Sequence, residues 1–330
     1  MIDDRSLDHT PHQAHTRLLG DIGGTNARFG VQRHAGAPIT HVQVLACADH
    51  ASLHDAVRHY LKSSGVTLPT VAAFGMANPV TSDQVVMTNH DWRFSIRELR
   101  QQLGLQRLVV MNDFTALALA LRHIPAEQLR QVGGALAKPQ APIALLGAGT
   151  GLGVSGLLPN GAGAWLPLSG EGGHVSLAAQ TTLEVQVIQS LQQRFGHVSA
   201  ERVLSGQGLV NVYLVLHALS GAPNPPVLQS AAEVLQRDQS DPMATQTIDV
   251  FCALLGAVAG DLALTLGAQG GVFIGGGIVP RLAPGRFDRS DFRKRFEAKG
   301  RFASYLQPIP VWVIDSPVSP ALLGASQALG

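Results

Sequence analysis

The chain has 330 residues, 45% hydrophobic and 14% charged, with a formal net charge of +1 and a pI near 8.0. That length and apolar content suit a two-domain α/β protein, while the near-zero charge supplies no field favouring nucleic acid or a membrane surface, so small molecules are the expected ligands. Cys47 and Cys252 stand far apart in no CxxC or Cys/His spacing, which argues against a disulfide framework or zinc site and fits a reducing cytoplasm.

Residues 1–16 lack the basic-then-apolar order of a signal peptide. They are polar and contain Pro11, and although His9, His12 and His15 recur at every third position, they read as a disordered leader rather than a metal-binding arm. No later apolar run is both long and free of glycine or charge, so no membrane span is expected. Residues 18–31, LLGDIGGTNARFGV, run as a strand, break at Asp21 and a glycine pair, and resume as a strand with no helix between, which is a glycine-hinged hairpin. VQVLACA (42–48) and TVAAFGM (70–76) read as short buried strands, and 53–63 and 96–103 carry helical spacing. RLVVM (107–111) is a further buried strand that runs through Asn112 and Asp113 into FTALALALR, a helix. Asn112 and Asp113 therefore sit at a strand's carboxyl end, where open α/β sheets hold ligands.

Residues 125–142 are looser, with two glycines together and prolines at both ends, and are the first candidate for an interdomain connection. LLGAGTG, from Leu145, then repeats the pattern of LLGDIGG, from Leu18, and both resume apolar residues afterwards, so the chain looks like two related halves. Helical stretches follow at 183–195, 208–219 and 248–266, then a strand and glycine turn over 270–280. The last strand, 309–314, precedes PVSPALLGASQALG, a short helix placed to pack back onto the first domain.

GLGVSG (151–156) matches GxGxxG formally, but Leu157 and Leu158 lead into Pro159-Asn160-Gly161, a turn after a strand, whereas the dinucleotide fingerprint must open a helix. A nicotinamide-dependent dehydrogenase is the least favoured reading. There is no GxxxxGK[ST] loop, and none of the four lysines directly follows a glycine. A bare-glycine strand-turn-strand still suits phosphate, because consecutive N–H groups without side chains form a concave anion site. Asp21 beside phosphates would then position a hydrated Mg²⁺, although an ordinary Asx turn explains the stretch alone. Asp113 suits a general base that takes a proton from an alcohol attacking phosphorus, with helix N-capping as its plain alternative. Glu171 and His174 lie in the glycine-rich LSGEGGHVS, and Glu201 sits just inside a helical segment that ends at a glycine. Singly, Glu201 reads as a first-turn charge and His174 as a structural hydrogen-bonder. Taken with Asn112 and Asp113, they supply the donors and acceptors that match several vicinal sugar hydroxyls.

GDIGGTNAR, MTNHDW, NDFTALALA, GAGTGLGV, LSGEGGHVS, GHVSAERVLSG and GGVFIGGGIVPR together resemble the bacterial glucokinases of the proteobacterial type, within the hexokinase, Hsp70 and actin superfamily. The resemblance runs from Leu18 to Leu323, departing at Gln207 and in a longer leader. It implies an α/β, two-domain ribonuclease H-like fold of the actin/hexokinase ATPase type with an interdomain cleft. The implied division is a disordered leader (1–16), a small α/β domain (17–123 with 315–330) and a large α/β domain (124–314). It further implies a cytoplasmic enzyme of glycolysis that uses ATP and Mg²⁺ to phosphorylate D-glucose at the 6-hydroxyl, giving glucose 6-phosphate. By the resemblance, Gly20, Asp21, Ile22, Gly23, Gly24 and Thr25 form the first phosphate segment and Gly149, Thr150 and Gly151 the second. Asp21 serves Mg²⁺ through water, Asp113 is the catalytic base, and Asn112, Asp113, Glu171, His174 and Glu201 bind glucose. Glucose and ATP are the expected partners, without nucleic acid or membrane, and a homodimer is the default assembly. The alternatives are a kinase for another hexose and a sugar-responsive regulator of the same fold that transfers nothing. The cysteine-rich zinc motif of the related repressor and sugar-kinase group is absent, which argues against that sister group.

Overall fold

The structure, a computed structural model, describes residues 1–5, 16–66, 69–88, 90–223, 228, 230–316 and 320–330. By its internal contacts the chain divides into a first unit, Met1–Pro125 with Pro167–Ser169 and Ser316–Gly330, and a second, Ala126–Leu166 with Gly170–Asp315.

The first unit contains β1 (Ile2–Arg5), β2 (Arg17–Ile22), β3 (Asn26–Gln32), β4 (Thr40–Ala46), α1 (Leu53–Ser64), β5 (Val71–Met76), β6 (Gln84–Val86), β7 (Arg93–Ser95), α2 (Ile96–Gln102), β8 (Arg107–Asn112) and α3 (Asp113–Ala120). Its main sheet has the order β1-β8-β5-β2-β3-β4. β2, β5 and β8 are parallel and in register, so that Ile22, Met76 and Asn112 lie abreast at their carboxyl ends. One face is packed by α1 and α2 around Phe29, Tyr60 and Phe74. The other face carries α3 and the C-terminal helix Ala321–Ala328. α1 starts where Ser52 accepts the Asp55 N–H at 3.1 Å and stops at Gly65, whose φ of 65° only glycine adopts readily.

Two expectations change here. Ile2–Arg5, read as part of a disordered leader, form an edge strand antiparallel to β8, held by ion pairs from Asp3 to Arg107 (2.9 Å) and Asp4 to Arg100 (2.6 Å). The acidic residues that made the segment look like solvated tail are its anchors. Residues 6–15, with His9, His12 and His15, lie outside the described residues. β4, read as buried, is the opposite edge strand and is largely exposed, Val44 by 51%. Its alternating valines serve an edge with one face to water.

The second unit contains β9 (Leu129–Gln131), β10 (Ile143–Ala148), β11 (Leu152–Pro159), the first two residues of β12 (Trp165–Ser169), whose last three are counted with the first unit, α4 (Thr182–Phe195), α5 (Gly206–Leu219), α6 (Ala231–Gln236), α7 (Pro242–Leu266), β13 (Val272–Gly275), α8 (Phe292–Glu297), α9 (Ala303–Leu306) and β14 (Val311–Ile314). Its sheet order is β12-β11-β10-β13-β14-β9. β10 and β11 are antiparallel, β10, β13 and β14 parallel, and β9 antiparallel to β14. This repeats the first sheet strand for strand, with β9 in the place of β1. The passage over 125–142 is therefore not only connection: its Leu129–Gln131 closes the second sheet.

Helix starts in this unit follow side-chain caps that hydrophobic spacing alone passes over. Asp241 caps α7 with Pro242 in the first turn, so that helix begins six residues before the expected 248. α7 is long and apolar enough in composition to cross a membrane, yet most of that stretch is buried in the core of this unit. Cys47 and Cys252 are both buried and free.

Candidate active site

In the first unit, the β2–β3 hairpin turns through Gly23, Gly24 and Thr25. The Gly23 N–H closes the hairpin on the Asn26 carbonyl at 2.9 Å. Among the described residues the Gly24 and Thr25 N–H groups meet no protein acceptor, so both remain donors for an anion. Gly20 is bare for another reason: a Cβ there would stand 2.6 Å from the Phe74 ring on β5. Asp21 faces Arg28 across the hairpin, and the Arg28 Nη1 donates to its Oδ2 at 3.0 Å. Arg28 went unassigned at the sequence level, although the two residues flank the turn at cross-strand spacing. Ile22 is fully buried and serves the core beneath the turn.

At the same carboxyl edge, two strands away and so roughly 10 Å along the sheet, Asn112 ends β8. Its Oδ1 accepts the N–H groups of Phe114 at 2.9 Å and Thr115 at 3.2 Å. Asn112 is thus the N-cap, and Asp113 is the first helical residue, its Oδ1 taking the Phe114 N–H at 2.9 Å. The N-cap position, the plain alternative for Asp113, is held by Asn112, although the two side chains share the Phe114 N–H. α3 is seated closely: a Cβ on Gly75 would lie 3.0 Å from the Ala116 Cβ and 3.5 Å from the Asp113 Cα, and one on Gly324 would collide with the Ala116 carbonyl. Thr115 Oγ1 lies 3.5 Å from Ser169 Oγ, a contact within the first unit.

In the second unit, the β10–β11 turn is Gly149, Thr150 and Gly151. The Gly149 N–H turns inward to the Gly151 carbonyl at 2.8 Å, so here too the inward donor is the first residue of the turn. Among the described residues the Thr150 and Gly151 N–H groups have no protein acceptor. The next N–H, of Leu152, is taken by Glu201 Oε2 at 2.9 Å. Glu201 lies in the short helical turn Ala200–Arg202, which is braced by the Ala200 N–H on the Val175 carbonyl (2.9 Å) and by Asn211 Nδ2 on the Arg202 carbonyl (3.0 Å). It is not the first-turn charge of a regular helix. The glycine turn after β13 packs on the same hairpin. Gly276, with φ 79°, has its Cβ direction filled by the Ala148 carbonyl, and the Ile278 N–H donates to that carbonyl at 3.1 Å.

Glu171 and His174 are exposed, joined by the His174 N–H on the Glu171 carbonyl at 3.0 Å. Between them Gly172 and Gly173 press against β11, where a Cβ on Gly172 would stand 2.7 Å from Val154 Cγ1. The second unit therefore gathers Gly149–Gly151, Glu171, His174 and Glu201 around the start of β11, and the first unit gathers Asp21, Gly23–Thr25, Asn112 and Asp113 on one sheet edge. Chemically, each unit offers anion-accepting N–H pairs beside carboxylates that accept hydroxyl protons.

Comparison with known proteins gives the same direction. Residues 18–330 match the family model described as glucokinase. A glucokinase of Aromatoleum aromaticum is 56% identical over 316 residues, 95% of this chain and 94% of that one. Among solved structures, a glucokinase from an Antarctic psychrotroph superposes with a TM-score of 0.85 at 36% identity, covering 96% of this chain and 99% of that one. A ROK family glucokinase from Streptomyces griseus, in complex with glucose and AMPPNP, gives a TM-score of 0.62 at 21% identity over 95% of this chain and 98% of that one, a likeness of fold. The fold is the two-domain α/β, actin/hexokinase type that the sequence motifs implied.

Proposed function

The chain belongs to the glucokinase family, and we propose that it transfers the terminal phosphoryl group of ATP to the 6-hydroxyl of D-glucose with Asp113 as general base. Asp113 accepts the O6 proton while O6 bonds to the terminal phosphorus and the bond from phosphorus to the bridging oxygen breaks, giving glucose 6-phosphate and ADP. The N–H groups of Gly24, Thr25, Thr150 and Gly151 take phosphate oxygens. Asn112 keeps Oδ1 for its cap and so presents Nδ2 as a donor to a sugar hydroxyl, while Glu171 and Glu201 accept from hydroxyls and His174 completes the set.

Magnesium, when bound with ATP, neutralises phosphate charge. Asp21 suits an outer role toward it, since a carboxylate already paired with Arg28 holds metal-bound water more readily than it replaces that water. A cytoplasmic location goes with this reading and is supported by two free thiols. A homodimer remains the default assembly for such an enzyme.

One observation supports the assignment of the base: Asn112 ends β8 abreast of Ile22 and caps α3, so that Asp113 is a first-turn carboxylate at the same sheet edge as the β2–β3 turn. The test is a coupled assay of glucose-dependent ADP formation by the purified protein, run across a panel of hexoses. Turnover fastest with glucose is expected. Saturable glucose binding without ADP formation would reject the kinase reading in favour of a regulator, and faster turnover of another hexose would reassign the substrate.

A further inference from the structure

The two glycines of the second phosphate turn are bare for different reasons. A Cβ on Gly149 would meet nothing closer than the Gly277 nitrogen at 4.0 Å, so the protein itself leaves room there. A Cβ on Gly151 would run into Glu201 Oε2. Neither residue has the positive φ that would demand glycine. The space at Gly151 is therefore reserved for a carboxylate of the sugar set, not for phosphate.

The same segment grips the turn at both feet. Glu201 Oε2 accepts the Leu152 N–H at 2.9 Å, just after the turn, and the Gly206 N–H donates to the Gly149 carbonyl at 2.8 Å, at its start. Between these bonds stand Thr150 and Gly151, the two residues whose N–H groups have no protein acceptor among the described residues. The gripping segment is stiff. Leu204 donates to the Ala200 carbonyl at 2.8 Å, and Ser205 caps α5 through the Gly208 N–H at 3.0 Å.

We propose that Glu201 is a positioning residue that couples the sugar subsite to the phosphate turn: one oxygen orients the turn through Leu152 N–H while the other meets a sugar hydroxyl. This rests on the function proposed above. Because linkage is reciprocal, a sugar that fixes the carboxylate also fixes the turn, and a nucleotide that fixes the turn tightens the sugar. Glucose and a nonhydrolysable ATP analogue then bind synergistically.

The test is calorimetric binding of glucose and of AMP-PNP, each alone and each in the presence of the other. For the wild type, each ligand should tighten the other by about 5-fold or more. In Gly151→Ala, the new methyl displaces the carboxylate, and glucose affinity measured without nucleotide should fall about 10-fold although residue 151 lies in the phosphate turn. Gly149→Ala, which has room for its methyl, should leave glucose affinity intact. Should Gly151→Ala fail to fold, Glu201→Ala and Glu201→Gln decide the matter without sugar. Both remove the negative charge, but only Gln keeps an acceptor for the Leu152 N–H, so AMP-PNP should bind several-fold more weakly to the Ala variant than to the Gln variant. Wild-type glucose affinity in folded Gly151→Ala, or equal AMP-PNP affinity in the two Glu201 variants, overturns the coupling. A wild type that binds no glucose at all would instead overturn the proposed function.

Discussion

Asn112 and Asp113 show what single residues do and do not disclose. In sequence, either one can cap α3, because both carry an oxygen that suits the free N–H groups of a first turn. Only the backbone and side-chain geometry separates them, with Asn112 in the cap position taking two N–H groups and Asp113 inside the helix sharing one of them. Asp113→Asn is close in shape, so glucose affinity by calorimetry should stay within a small factor while kcat falls by about 10²–10⁴-fold, the range for loss of a general base. Comparable turnover in the variant would remove Asp113 from that role. Asp21 invites a different experiment. Its Oδ2 is paired to Arg28, which suits the role toward metal-bound water proposed for it, and on that proposal Asp21→Asn should raise the Mg²⁺ concentration for half-maximal rate by about 10-fold. Glucose affinity without metal should not move, and an unchanged Mg²⁺ dependence would exclude Asp21 from metal positioning. The glycines were harder to read. Gly20 is bare for Phe74 and Gly151 for Glu201, two packing demands on partners far away in sequence.

At the level of elements, the parallel strands and the hairpins were legible because each is an apolar run punctuated by glycine. The edge strands β1 and β9 were not. Both are short and polar, and each pairs with its sheet on one side only, so their place is set by register and by ion pairs rather than by hydrophobic pattern. α3 depends on packing just as close. Gly324 on the C-terminal helix lies against the Ala116 carbonyl, and Gly324→Ala forces the two helices apart. Overpacking of this kind costs about 1–3 kcal/mol. Because α3 carries Asp113, kcat should fall alongside stability in denaturant melts, and full kcat in a destabilised variant would show that α3 tolerates the shift. α4 offers a test with pH. Burial alone would raise the Glu184 pKa, but the Arg295 guanidinium at 2.6 Å and the N–H groups of Gln180 and Thr181 outweigh it and hold the carboxyl below its usual value of 4.5. A depressed folded pKa means stability that is present in full above the unfolded value and lost as pH falls through the folded one. Glu184→Gln strands the buried Arg295 and should cost about 3 kcal/mol at neutral pH. Its stability should also decline less steeply than the wild type's on acidification below about pH 5, measured by urea unfolding; parallel pH profiles would place the acid sensitivity elsewhere.

Across the whole molecule, the repeat of LLGDIGG and LLGAGTG marks a deeper duplication: the two sheets share one strand order, and each turn spends its first N–H on its own hairpin while the next two have no protein acceptor among the described residues. Each unit has its own apolar core, so each can open and close its amide hydrogen bonds as a separate cooperative region. The proposed sugar ligands are divided, Asn112 and Asp113 in the first unit and Glu171, His174 and Glu201 in the second. This division makes the ligand set testable without catalysis. A ligand stabilises whatever must stay folded to hold it, by about 2.7 kcal/mol at a concentration of 100 times Kd. If glucose takes hydroxyl partners from both groups, hydrogen exchange at saturating glucose should slow by about 100-fold in the amides of both α3 and α5 that exchange only when their own unit unfolds. Were only the second unit protected, Asn112 and Asp113 would not be sugar ligands, and the base would have to be sought on the elements around β11. Protection confined to the first unit would instead discard Glu171, His174 and Glu201 together, and with them the basis for coupling sugar to the second turn.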